Sequence, residues 1–457
     1  MQFPADTRAE MRRILALAWP VVLTGLNWTI LHVTDVIVVG LVSTHEVAAL
    51  GASRTLTFIG IVVALGWLTG VLVFASRADG AKDLPATGAV LRQGLVLGLI
   101  LGLVSGGILF LFALPMLLGV GVDSGIAPEA ARVVKTMAIG YPFQLLIVAA
   151  SFFLEGVSRP RRVMAVNLSI LPINALLAWV LATGQFGLPV MGAVGAATAT
   201  VIALVIGAVA MVVAALTLPR ARERGVRDWR DFGTRPMWTG VGALLAFGAV
   251  PAIASGLELA GFSILIALST QLGETATHAF QIVFSVHNVT FAFALGLGSA
   301  AGVRVGNAVG EGDPAAAGPR TAIAAGLAAA ILGVLAIGLI LVPALVVGVF
   351  PANAAVVALA VAMLPFWAPF ILFDGLQVVF VYALRSLGDQ VAAGINGILA
   401  FFLLTGAIGL WTVHAGWGPI GLVAASATGM VAAALLNGGR LLFITRRLAI
   451  LGLRPKS

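Results

Sequence analysis

LVLGLILGLVSGGILFLFALPMLLG, residues 95–119, contains no charged residue and no alternation of polar with apolar positions. A helix needs roughly 20 apolar residues to cross the hydrocarbon core of a bilayer, and this run is longer than that. A membrane-spanning strand would alternate polar and apolar residues instead. A second run, TAIAAGLAAAILGVLAIGLILVPALVVGVF at 321–350, has the same character.

The composition of the whole chain agrees. Of 457 residues, 60% are hydrophobic and 10% charged, and mean hydropathy is +1.10. That balance cannot furnish a water-facing surface, so an all-α polytopic membrane protein is expected. Cysteine is absent, which excludes disulfides, thiolate metal sites and cysteine nucleophiles. The opening MQFPADTRAEMRRILALAWPVV has the basic flank of a signal peptide. Its apolar run, however, continues through Val39 with no small-residue cleavage site, predicting a retained first helix.

Twelve apolar segments follow one another, at 13–41, 46–76, 89–119, 133–157, 163–183, 192–217, 238–270, 276–304, 321–348, 353–385, 390–412 and 418–445. The basic residues test this count independently. Arg8, Arg12 and Arg13 precede the first span. Arg77, Lys82 and Arg92 fall near the second connection, and Arg159, Arg161 and Arg162 in the fourth. Arg220, Arg222, Arg224, Arg227, Arg230 and Arg235 fill the sixth. Arg304 and Arg320 flank the eighth, Arg385 closes the tenth span, and Arg440, Arg446, Arg447, Arg454 and Lys456 form the tail. The odd-numbered connections are almost free of basic residues apart from Arg132 and Lys135. The positive-inside rule therefore predicts cytoplasmic termini and cytoplasmic even-numbered loops. A net charge of +8 reflects this topology and contact with membrane lipids. A nucleic-acid partner would require a folded basic domain, which is missing, so none is expected.

The two halves align at an offset of 230 residues. Ala64-Leu65-Gly66 matches Ala294-Leu295-Gly296, GAKD at 80–83 matches GEGD at 310–313, and Leu154 in LEGVSR matches Leu384 in LRSLGD. Six spans per half is an even number, so both halves enter from the same side. Two six-helix lobes related by a pseudo-twofold axis along the membrane normal are expected. The expected division is an N-lobe at 1–218, an Arg-rich cytoplasmic linker at 219–236 and a C-lobe at 237–457.

Several chemistries are excluded by what is missing. A Walker A motif needs Gly-Lys, and none of Lys82, Lys135 and Lys456 follows a glycine, so no ATP site of that type is expected. His45-Glu46 begins like a zinc-protease motif, but the second histidine position is Ala49, and the pair reads as a helix start. GLGSAAG at 296–302 lacks the spacing and the preceding strand of a dinucleotide fingerprint. Its glycines, like Gly94, Gly98, Gly102 and Gly106 in the third span, read as helix-packing surfaces. No enzyme chemistry and no cofactor are expected.

The candidate chemistry lies in carboxylates placed mid-span. An ionisable group at a helix centre costs about 2.5–3.5 kcal/mol on insertion scales, so each needs a reason. Asp35, Glu258 and Asp374 qualify. Asp374 and Gln377 are spaced i, i+3, with Arg385 further along the same general face. Thr24, Asn27 and Asp35 share a face of the first span. In the eighth span His278, Gln281, Ser285 and Asn288 form a polar stripe expected to face the interior, with His287 on the opposite face. The structural alternative is that a carboxylate pairs with Arg54, the one arginine well inside a span, which could instead reach for the headgroups. Glu155, beside Arg159, is expected to make a surface ion pair. A carboxylate in apolar surroundings can hold a proton near neutral pH, and its oxygens also suit a hard cation such as Na⁺.

These residues resemble the multidrug and toxic compound extrusion (MATE) family in its bacterial NorM-type branch, over essentially the whole chain. TDVIVVG (34–40) is similar to the first-helix aspartate motif, GLELAGF carries Glu258 at the seventh-helix glutamate position, and FDGLQVV with ALRSLGD (373–389) resembles the tenth helix. GVRVGNAVGEGD (302–313) is similar to the end of helix eight. There are two departures. The histidine usual before the helix-eight glutamine is Phe280, and the fifth-helix asparagine pair is kept only at Asn174, with Ala178 at the second position.

The resemblance implies a multi-pass protein of the bacterial inner membrane that exports cationic amphipathic molecules by alternating access, in exchange for Na⁺ or H⁺. Glu258 and Asp374 would couple the cation and could ligate Na⁺, with Asp35 assisting. Asn27, Asn174, His278, Gln281, Asn288, Gln377 and Tyr382 would line the cavity, and a monomer is expected. A lipid-linked oligosaccharide flippase of a related two-lobed fold is the alternative, but it would want a strongly cationic cavity. A non-transporting receptor is a third possibility, and polar stripes in both halves argue against it.

Overall fold

The computed structural model of the protein describes residues 7–452. Arg454 and Lys456 of the basic tail lie outside the described residues, as do residues 1–6 of the N-terminal stretch. Among the described residues there is no strand, and twelve helices are long and apolar enough to cross a membrane. They are α1 (Thr7–Gly40), α2 (Thr44–Gly80), α3 (Leu84–Gly119), α4 (Ala127–Gly156), α5 (Pro160–Thr183), α6 (Gly192–Leu216), α7 (Arg235–Gln271), α8 (Glu274–Gly310), α9 (Pro314–Leu341), α10 (Ala354–Leu387), α11 (Gln390–His414) and α12 (Pro419–Ile450). Each corresponds to one predicted segment. Helices satisfy every backbone hydrogen bond within the segment, which hydrocarbon demands because it offers no substitute partners.

The repeat read from the sequence recurs in the way the helices end. After α2 the Asp83 N–H donates to the Ala78 carbonyl at 3.0 Å, and after α8 Asp313 donates to Ala308 at 3.0 Å. The residue before each donor has positive φ, 59° at Lys82 and 77° at Gly312. After α4, Arg159 donates to Leu154 at 2.7 Å, and after α10, Asp389 donates to Leu384 at 2.9 Å, with Ser158 and Gly388 at φ 62° and 91°. All four are left-handed C-terminal caps, and they match pairwise at the offset of 230.

The glycine stripe on α3 is a packing face. A Cβ on Gly98 would lie 2.8 Å from the Leu145 carbonyl oxygen, one on Gly102 2.5 Å from Pro142 Cα, and one on Gly106 2.6 Å from the Ala138 oxygen. The α3 and α4 backbones are therefore in direct contact, which only small residues allow. His45-Glu46 is a helix start: Ser43 Oγ accepts the Glu46 N–H at 3.1 Å, and the Glu46 carboxylate accepts the Ala193 N–H at the start of α6 at 2.7 Å. Glu155 departs from expectation. It is 6% exposed, because the end of α4 is tucked against α2, where a Cβ on Gly156 would meet the Leu72 carbonyl.

The compact units are drawn differently from the halves of the sequence. One holds the chain up to Val22, Gly80–Lys82 and everything from Ile253. The other holds Leu23–Asp79 and Asp83–Ala252. The expected boundaries at 218 and 237 are thus displaced, because the first part of α1 packs with α8 and the first part of α7 packs with α2. Val22 and Ala18 occupy the space a Cβ on Gly296 would need, and the Trp67 backbone occupies that of Gly248. Both helices carry an internal proline just before they change unit, Pro20 and Pro251.

The Arg-rich stretch 219–236 is also more than a linker. Val226 is fully buried in the core of its unit. Arg92 of α3 pairs with Asp231 at 2.8 Å and bonds the Gly225 carbonyl, while Arg224 pairs with Asp79 at 3.0 Å and donates to Thr87 Oγ1 at 2.8 Å. Two arginines, Arg92 and Arg224, thus hold this stretch against α2 and α3.

Candidate functional site

In the unit that contains α8–α12, the polar cluster begins with a break in α10. Pro365 and Pro369 interrupt the helix, the backbone tightens over Ala368–Phe370, and a regular helix resumes at Ile371. Asp374 falls in the first turn of the resumed helix. Asp374 is 4% exposed, and Gln377, one turn on, donates Nε2–H to its Oδ1 at 3.3 Å. The pairing expected from i, i+3 spacing is present.

Glu258, half-buried on α7, interacts electrostatically with both Asp374 and Arg385. The Arg385 guanidinium lies over the Tyr382 ring, 5.8 Å from its centroid. Tyr382 in turn rests on α8: a Cβ on Gly298 would come within 3.0 Å of its ring, and one on Gly302 within 3.2 Å. The glycines of GLGSAAG therefore let α8 approach the helix face that carries the site.

The α8 stripe stands apart from the carboxylates. His278, Gln281, Ser285 and Asn288 are exposed, and none is hydrogen-bonded to the carboxylates. It is His287, expected on the opposite face, that is buried beside Asp374, with Nδ1 3.9 Å from Oδ2. Phe284 and Phe291 are three residues before and four after it, so all three project from one face. That face packs against Phe262 of α7 and Trp367 of α10, and burial follows it.

The second unit holds a separate cluster. Asp35 of α1 is 5% exposed, and Asn174 of α5 donates to its Oδ1 at 3.1 Å. Thr200 of α6 is within hydrogen-bond reach of the same carboxylate, and Arg54 of α2 interacts with it electrostatically while donating to the His32 carbonyl at 3.0 Å. Asn27, two turns before Asp35, donates to the Asn167 carbonyl at 3.3 Å. Asn27 and Asp35 thus meet Asn167 and Asn174, making two polar rungs between α1 and α5. Thr200 supplies a polar contact although Ala178 stands where the second asparagine would be. Sequence reasoning missed Thr200, Asn167 and His287. Only His287 carried a signal, in the aromatic residues that share its face.

With Glu258 and Asp374 as the metal candidates, two carboxylates face one another electrostatically. Among the described residues no group of three or more His, Asp or Glu side chains is arranged to hold a metal ion.

The profile of the MatE family matches this chain twice, at residues 20–180 and 251–410. The chain belongs to the MatE family. The two matches also reproduce the internal repeat. The probable multidrug resistance protein NorM of Burkholderia pseudomallei is 32% identical over 447 residues, spanning 96% of this chain and 93% of that protein. The multidrug resistance protein PmpM of Pseudomonas aeruginosa is 29% identical over 448 residues, with 96% and 93% covered. Among solved structures, the eukaryotic MATE transporter AtDTX14 superposes with a TM-score of 0.87 at 18% identity, covering 98% of this chain and 99% of that one. An outward-facing multidrug resistance MATE family transporter of the MOP superfamily superposes at 0.83 and 18% identity, covering 98% and 99%. This MatE chain is therefore a NorM-type, multi-pass membrane protein of a transporter family, and the likeness to solved structures concerns its fold.

Proposed function

We propose that this MatE protein exports amphipathic organic cations from the cytoplasm across a bacterial inner membrane, in exchange for Na⁺ or H⁺. The observation that carries this reading is Asp374: a buried carboxylate with no Lys or Arg within ion-pair distance among the described residues. A structural carboxylate at this depth would be neutralised by a partner, whereas a carboxylate that must alternately hold a small cation and release it cannot be. The multidrug resistance names of its relatives support the substrate class. The flippase alternative gains nothing from Arg54, whose guanidinium is engaged with the His32 carbonyl and Asp35.

The test is flux of a fluorescent dye cation in proteoliposomes holding the purified protein, under an imposed pH gradient or an imposed Na⁺ gradient. Gradient-dependent uptake is expected. Dye movement that ignores both gradients would remove the antiport reading.

Both termini and the even-numbered loops are proposed to be cytoplasmic, on the distribution of arginines. Because cysteine is absent, single substitutions report side directly. Ser124→Cys lies in the exposed third connection and Thr234→Cys in the exposed sixth. A membrane-impermeant maleimide added to intact cells is expected to label Ser124→Cys alone, and labelling of Thr234→Cys alone would invert the orientation.

A further inference from the structure

Away from the carboxylates inside the spans, the first turns of α11 and the second half of α12 border an open groove of about 540 Å³. Asp389 and Arg440 form an ion pair across it, Nε to Oδ2 at 2.7 Å and Nη2 to Oδ1 at 3.2 Å. The guanidinium also lies over the Phe443 ring, 5.8 Å from its centroid. Asp389 occupies the cap position of α11, yet its side chain caps no backbone N–H. The carboxylate is held by Arg440 instead of by the helix it precedes. Two turns into α11, Asn396 also lines the groove and donates Nδ2–H to Asn437 Oδ1 at 3.2 Å. Asn437 is fully buried, and its own Nδ2 has no hydrogen-bond partner among the described residues.

We propose that this groove binds the headgroup of a phospholipid carrying both a phosphate and a primary ammonium, a phosphoethanolamine lipid. On the distribution of arginines, the lipid belongs to the cytoplasmic leaflet. Such a site stands whether or not the chain is an antiporter. The ion pair need not open to take a zwitterion. A guanidinium has five N–H donors, and the two that Asp389 accepts leave three for phosphate oxygens. The carboxylate keeps lone pairs beyond those it gives Arg440, and a primary ammonium has N–H donors to offer them. Phosphate and ammonium are one ethylene apart in such a headgroup, so each charge finds its opposite across the groove. A lipid with a phosphate alone would face Asp389 uncompensated, and a cationic amphipath would face Arg440. A quaternary choline has no N–H for the carboxylate, so it loses the charge-assisted hydrogen bonds.

The depth of the groove favours a lipid over a soluble zwitterion. Asp389 stands immediately before the span of α11, where headgroups lie. The groove continues into the span along Val391, Ile395 and Leu436, exposed apolar side chains that suit acyl methylenes. The amide donor of Asn437 is one turn before Arg440 on α12, on the membrane side of the charges. A buried N–H without an acceptor is costly, and the ester carbonyls of a glycerolipid, which follow the phosphate into the membrane, are acceptors only. Just beyond Asn396, α11 loosens into π turns over Ile398–Leu404, a deviation frequent at functional sites.

The full-length protein, purified in detergent, can be titrated with phospholipids labelled at the acyl terminus, so that the headgroup is unaltered, and binding read by fluorescence anisotropy. Phosphatidylethanolamine is expected to bind about tenfold tighter than phosphatidylcholine or phosphatidylglycerol. Asp389→Asn should abolish that preference, weakening phosphatidylethanolamine about tenfold while phosphatidylglycerol binds as before or tighter. Ala392→Phe fills the groove and keeps both charges, and it should weaken phosphatidylethanolamine by a similar factor. Unfolding temperatures show that each variant is folded, and Ala392→Phe carries the test alone if Asp389→Asn is not. Equal affinity for the three lipids in wild type, or a preference that survives in the folded variants, would overturn the site. Soluble phosphoethanolamine should compete poorly because it lacks acyl chains. Competition by it as strong as by the intact lipid would overturn the lipid as occupant, as would displacement of the lipid by a dye cation.

Discussion

Glu10→Ala is expected to cost about 3–5 kcal/mol of stability. Glu10, near the start of α1, and Arg304, near the end of α8, are 6% and 9% exposed. The guanidinium grips both carboxylate oxygens, Nε to Oε1 at 2.6 Å and Nη2 to Oε2 at 2.8 Å. Its Nη1 donates to Asn307 Oδ1 at 3.2 Å, and its backbone carbonyl accepts from Arg320 at 2.9 Å. Arg320 is itself held by Glu311 at 2.6 Å, so the ends of α1, α8 and α9 are tied through one residue. Removing Glu10 leaves a buried guanidinium without its counter-charge, which is why the cost exceeds that of an exposed pair, about 0–1 kcal/mol. Thermal unfolding in detergent, followed by intrinsic tryptophan fluorescence, reads the difference. The double variant Glu10→Leu with Arg304→Met should recover most of it, since replacing both charges by apolar groups removes the desolvation penalty as well. A loss below about 1 kcal/mol in Glu10→Ala would show that the pair behaves as a solvated one.

That contact also marks what the sequence could not disclose. The twelve spans were legible because hydrocarbon imposes a length and a composition that no water-soluble helix shares. The repeat was legible because two short loops kept their turn residues at one offset. Asp374 and Gln377 were legible because i, i+3 spacing guarantees a shared face wherever the helix packs. Glu10 and Arg304 are 294 residues apart, and no local pattern pairs them. The exposure of the α8 stripe has a different cause. Polar residues at helical spacing define a face but not its direction, and in a membrane bundle a polar stripe can point either way. Phe284, His287 and Phe291 formed the better-packed face, and aromatic bulk rather than polarity set the burial. The unit boundaries were half-legible: Pro20 and Pro251 stand 231 residues apart, close to the repeat offset, just before α1 and α7 change unit.

Asp374→Asn should abolish coupled dye flux, by at least about 100-fold, while leaving the protein as stable as wild type or more so. The two halves of this expectation come from one physical fact. An unneutralised carboxylate in a span costs about 2.5–3.5 kcal/mol to bury, and the amide of asparagine removes that cost without changing the side-chain volume. Gln377 can rotate its amide to meet either oxygen or nitrogen, so the local hydrogen bond survives. The repeat offers a natural control. At an offset of 230, Asp374 corresponds to Gln144, also buried at 3%, so this position in α4 already carries a neutral amide. Asp35→Asn should gain less stability, because Asn174, Thr200 and Arg54 already compensate its charge. Parallel measurement of unfolding temperature and gradient-driven flux in the two variants separates function from folding. A stable, inactive Asp374→Asn assigns the coupling charge to α10, and unchanged coupled flux would remove Asp374 from the mechanism. A protein that unfolds on this substitution would mean that the carboxylate holds the bundle together, and that its charge has a partner in the membrane-embedded protein.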